Sequence, residues 1–196
     1  MLDLKTRATN ILTRPAMEWP AIAGEVTTPI DLITSYAAPL SAVAAICAFI
    51  GLSIVGMSVP LIGTTFRAPF FSGLTSAVVR FVLGLIGLYV SAIIIEKLAP
   101  TFQSRGDTTQ AMKMVVFAST PVWVASVLQI IPALGVLVLL AALYAVYLFY
   151  LGLTPVMKTP GDKVIPYMVV AAIVIFVINL CFGFIAAAVA GVGTYI

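Results

Sequence analysis

The chain has 196 residues, 62% of them hydrophobic and 9% charged, whereas a soluble domain is roughly 45–50% apolar and about 25% charged. Its mean hydropathy of +1.19 arises from apolar runs that reach the ~20 helical residues needed to cross a ~30 Å hydrocarbon core, which marks an integral membrane protein and excludes a β-barrel of alternating strands. The net charge of +3 is spread over loops, so lipid headgroups rather than nucleic acid are the anion it would meet, and the absence of histidine removes the commonest general base and metal ligand.

Residues 1–35 form a polar preface. Leu4, Ala8, Ile11 and Leu12 share one face of a first helix, with Lys5, Arg7, Asn10 and Arg14 on the other, a pattern that suits a helix lying on a membrane surface. Pro15 opens a second helix, which gathers Trp19, Ile22, Ala23 and Val26 on one face. Trp19 is expected to rest at headgroup depth. The first span is expected over residues 36–57. The apolar loop SVPLIGTTFRAPFFSG follows, expected to pack on the membrane or on neighbouring helices.

The second span, 74–98, carries one interior charge, Arg80. A hydrophilic loop with Arg105 and Asp107 leads into the apolar run 111–153, which is too long for one span and is cut at Ile131-Pro132 into spans 112–131 and 133–153. Pro121 removes a backbone hydrogen bond and is expected to kink the third span. Gln129 lies near that span's end. Tyr144, Tyr147 and Tyr150 read as an aromatic belt on the fourth, and Asn179 sits near the middle of the fifth, 167–190. The expected fold is an all-α polytopic membrane bundle of five transmembrane helices preceded by an amphipathic interfacial segment. Cys47 and Cys181 lie within apolar runs and read as small hydrophobes.

Lys5, Arg7, Arg14, Lys97, Arg105, Lys113, Lys158 and Lys163 fall on one side of this arrangement, and Arg67 and Arg80 on the other half. The positive-inside rule then places the amino terminus in the cytoplasm and the carboxyl terminus outside. The stretch YLGLTPVMKTPGDKVIPY, Tyr150–Tyr167, becomes a cytoplasmic loop expected to lie beside the loop 97–113. Pro155, Pro160 and Pro166 restrict it, and Lys158 and Lys163 bracket Asp162. Two readings stay open: a rigid platform for anionic lipid or a partner, with Arg105 and Trp19 as further contacts, or a plain turn obeying the charge rule. Arg80 either snorkels outward or marks a functional site, and Gln129 and Asn179 either hydrogen-bond between helices or line a path. No carboxylate lies deep within a span, which argues against proton-coupled transport.

The segments FASTPVW, Phe117–Trp123, and YAVYLFYLGLTPVMKTPGDKVIPY, Tyr144–Tyr167, resemble the Ypt-interacting protein (Yip) family in its bacterial branch. TRPAMEWPAIAGE, Thr13–Glu25, is similar to that family's amino-terminal Arg-Pro…Trp segment. The chain departs from the pattern at Thr154 and in its short polar preface. The resemblance implies a five-span fold in a bacterial inner membrane. It also implies a non-enzymatic scaffold or accessory subunit, without cofactor or metal, that engages lipids, a membrane-protein partner or another copy of itself. The alternative is a small-molecule, ion or lipid transporter with a path near Arg80 and Asn179.

Overall fold

The computed structural model describes residues 3–59 and 64–192. Two short helices, α1 (Leu4–Thr13) and α2 (Pro15–Gly24), precede five helical stretches long and apolar enough to cross a membrane: Pro29–Val55, Phe70–Phe102, Thr108–Ile130, Pro132–Met157 and Gly161–Ala186. The first stretch begins earlier than hydropathy suggests because Thr28 and Asp31 form a reciprocal cap. The Thr28 hydroxyl accepts the Asp31 N–H at 3.2 Å, and the Asp31 carboxylate accepts the Thr28 N–H at 3.3 Å. From there the chain runs through α3 (Pro29–Leu32), a π-helical turn and α4 (Ala38–Phe49) to a second π-helical stretch ending at Val55.

Beyond it, β1 (Met57–Val59) and β2 (Thr64–Phe66) pair antiparallel, with Met57 opposite Phe66. Arg67 donates from Nε to the Val55 carbonyl at 3.3 Å, and the Ala68 N–H reaches the Leu52 carbonyl at 3.2 Å. The loop therefore folds back on the end of the first span; its tip, 60–63, lies outside the described residues.

Helix α5 (Phe70–Leu98) is followed by a 3₁₀ turn and α6 (Thr108–Ala118), which the Asp107 carboxylate caps through the Thr109 N–H at 2.8 Å. The third span breaks at Ser119 rather than bending smoothly. Pro121 sits in the first turn of α7 (Thr120–Ala125), where its missing N–H is no loss, and the Tyr36 hydroxyl bridges to Thr120 Oγ1 at 3.0 Å beside the break. After two 3₁₀ stretches come α8 (Leu137–Met157) and α9 (Gly161–Val192).

The third span is the central one: 61% of its most apolar window is buried, against 6% for the fifth. α6 packs between α5 and α8, and α9 lies along α5 and touches α8. The apolar faces of α1 and α2 pack against α6, α7 and α8, with Ile11, Trp19 and Ile22 fully buried. Gly152 makes the approach possible. A Cβ there would stand 2.6 Å from Met114 Sδ and 2.9 Å from Trp19 Cε2, closer than atoms can sit.

Candidate functional site

One end of the bundle is a closed, charge-paired assembly. Arg7, assigned to a solvent face by helical periodicity, is only 2% exposed. Its guanidinium binds the carboxylates of Glu18 and Glu25 and lies 5.7 Å from the centre of the Phe117 ring. Lys113, 1% exposed, donates to the Glu25 carbonyl at 2.7 Å and the Ala23 carbonyl at 3.4 Å. The Tyr144 hydroxyl donates to the Leu12 carbonyl at 2.8 Å. These bonds fasten both amino-terminal helices to the third and fourth spans. Trp19 is fully buried among them, so its ring meets protein where a lipid or partner contact was expected.

The two basic loops meet at this same end. The Arg105 N–H donates to the Met157 carbonyl at 2.7 Å, the Ser104 hydroxyl to Thr159 Oγ1 at 2.8 Å, and Phe102 stacks on Tyr167 with centroids 4.7 Å apart. Tyr167 in turn donates to the Ile95 carbonyl at 2.6 Å. The long loop expected at Thr154–Pro166 shrinks to the turn Lys158-Thr159-Pro160, because α8 runs through Pro155 to Met157 and α9 starts at Gly161. The left-handed residue of that turn is Lys158 (φ 55°), matched in the facing loop by Gln103 (φ 56°). A lysine or glutamine holds that conformation only where the surroundings over-determine it, here through the contacts between the loops. Arg105, Lys158 and Asp162 point outward, and Lys163 pairs with Asp162 at 3.6 Å.

The other half of the bundle is more open. A cavity of about 570 Å³ lies between the five spans, walled by alanines of α4, α8 and α9 and by Phe81, Trp123 and Phe149. Arg80, Gln129 and Asn179, the three intramembrane polar residues legible in the sequence, all border it. Asn179 donates to the Ile175 carbonyl of its own helix at 2.8 Å and Gln129 to Ser126 Oγ at 3.3 Å, so neither bridges two helices among the described residues. Towards the basic end the cavity stops at Ser91, Val115, Phe149 and Met168, beyond which Ile95, Met114 and Leu153 are fully packed.

A family model of the Yip1 domain matches residues 9–193. The chain belongs to the Yip1 domain family. It is 27% identical over 147 residues to the inner membrane protein YohC of Escherichia coli K12, covering 74% of this chain and 75% of that protein, with the same figures for YohC of Escherichia coli O6:H1. No solved structure matches it.

For this Yip1 domain, sequence reasoning found the loop residues Arg105, Lys158, Asp162 and Lys163 and the polar set Arg80, Gln129 and Asn179, and the structure gathers each set in one place. It missed the Arg7–Glu18–Glu25–Lys113 cluster. The available signal was two acids on the helix next to the one bearing Arg7, with no exposed basic partner of their own.

Proposed function

We propose that the protein is a non-catalytic scaffold or accessory subunit of a bacterial inner membrane that docks an acidic segment of a partner on its basic platform. The observation that carries this reading is the latch between the two loops, Arg105 N–H to Met157 and Ser104 to Thr159, which holds the backbone under the cationic side chains of Arg105 and Lys158 together. A preordered surface loses little entropy on binding. The platform also stands clear of the bilayer. Phe70–Phe102 would be about 50 Å long against a ~30 Å core, and Tyr150 of the aromatic belt lies about 10 Å before Met157.

The distribution of basic residues turns this end to the cytoplasm. With Cys47→Ser and Cys181→Ser as background, Gly161→Cys should be blocked only by thiol reagents that cross the membrane; labelling by an impermeant reagent from outside contradicts the orientation. For the docking itself, Arg105→Gln/Lys158→Gln/Lys163→Gln should insert and fold normally yet lose a co-purifying protein. Retention of every partner contradicts the reading, and selective loss of acidic lipid moves the site to headgroups.

A transporter is the second reading, supported by the convergence of Arg80, Gln129 and Asn179 on the cavity. Its path ends at the packed Ile95, Met114 and Leu153, with α2 lodged behind them through Trp19, so transport would require the amino-terminal helices to move. A cross-link between them and α8 would then abolish flux while leaving docking intact.

A further inference from the structure

Arg80 and Gln129 border two cavities at once. The larger is the hollow of about 570 Å³; the smaller, about 300 Å³, is lined by Ser53, Ser76 and Pro132. The large one is walled mainly by alanine, glycine and aromatic rings, and at Gly84 an added Cβ would meet nothing within 4 Å, so space there is open. The small one holds hydroxyls, and that of Ser53 is buried without a hydrogen-bond partner among the described residues. Between them stands a guanidinium with no carboxylate at ion-pair distance among the described residues. Along the helix it is about 15 Å from Phe70 and about 25 Å from Lys97, and thus within the apolar stretch of α5. Arg80 is exposed, so its guanidinium, unpaired among the described residues, is free to receive an anion at membrane depth.

We propose that these paired cavities bind an acyl chain ending in an anionic head, with the chain along the alanine wall of the larger cavity and the head on Arg80 at the neck. The guanidinium fork accepts a carboxylate or a phosphate in the same two-pronged way, so a free fatty acid and an acidic lysolipid share the required chemistry. The larger volume falls within the ~300–1,000 Å³ of sites for small molecules. This site shares no residue with the basic platform and stands or falls separately from it.

Trp123 lines the larger cavity, and the second tryptophan, Trp19, is buried in the opposite end. The full chain in phosphatidylcholine nanodiscs can therefore be titrated with 12-bromododecanoate and 12-bromododecanol, reading quenching of tryptophan emission. Saturable quenching by the acid is expected, weakened about tenfold by Arg80→Gln, restored in large part by Arg80→Lys, and abolished by Gly84→Leu with the unfolding temperature unchanged. The alcohol should be insensitive to Arg80→Gln but lost with Gly84→Leu. Lys158→Gln/Lys163→Gln should leave every curve as it was. Competition by dodecanoate assigns the head to a carboxylate, and stronger competition by lysophosphatidylglycerol assigns it to a phosphate. Quenching that never saturates, or that is equal in wild type, Arg80→Gln and Gly84→Leu, overturns the proposal.

Discussion

The two ends of this bundle follow opposite rules of construction. At the end that carries α1 and α2 there is a continuous core with its buried charge paired, as in a water-soluble domain: residues 111–118 are buried without interruption and Arg7 is held by two carboxylates. At the other end the apolar side chains face outward, with Leu139, Leu143, Phe176 and Phe184 each about two-thirds exposed, and the interior is more open. Lipid explains the inversion. Where hydrocarbon surrounds the helices, burying a leucine gains little over leaving it in lipid, so small side chains and open space persist inside. Where water surrounds them, the hydrophobic effect closes the core. One chain thus combines a closely packed end with a more open apolar end.

This contrast can be broken most sharply at the charge cluster. Arg7→Ala leaves Glu18 buried without its counter-charge and should destabilise the protein by about 3–5 kcal/mol, read as the loss of unfolding free energy in mild detergent. Arg7→Met/Glu18→Met should recover most of that loss, since apolar side chains of similar volume replace a buried ion pair at little cost. A single variant as stable as wild type would show that the cluster is not closed. A smaller effect is expected at Tyr167→Phe, which removes the bond to Ile95 but keeps the stack on Phe102. About 1 kcal/mol should be lost, and loop cysteines should label faster. Smallest of all is Leu143→Ala, which faces outward at 69% exposure. Its unfolding free energy should change by less than about 0.5 kcal/mol, and a loss like that of a soluble core leucine would show that Leu143 is packed against protein instead of facing outward.

The sequence made the membrane end legible in outline, because span length and hydropathy report directly on a bilayer. Five spans, the break at Pro121 and the juxtaposed loops follow from runs of apolar residues, one proline and the sidedness of short connections. The amino-terminal helices were harder. Amphipathicity states that Ile11, Trp19 and Ile22 share an apolar face, but not whether that face meets lipid or protein, and here α8 with Gly152 offered a better fit than a headgroup layer. Arg7 was unreadable for a related reason: helical periodicity assigned it to water, and only the fold brings Glu18 and Glu25 to it. Arg80, Gln129 and Asn179 were legible one by one as polar residues within apolar spans, and only the tertiary arrangement makes them line one cavity.

The same substitution at two glycines, one in each half of the bundle, separates a packed environment from an open one. Gly152 faces Met114 and Trp19 at less than contact distance, and Gly84 faces nothing within 4 Å. Thermal unfolding of Gly152→Leu should show a loss of about 1–3 kcal/mol or more, a fall of several degrees, while Gly84→Leu should unfold at or above the wild-type temperature because leucine favours the helix. Equal destabilisation by the two substitutions, or a tolerant Gly152 beside a sensitive Gly84, would contradict that separation.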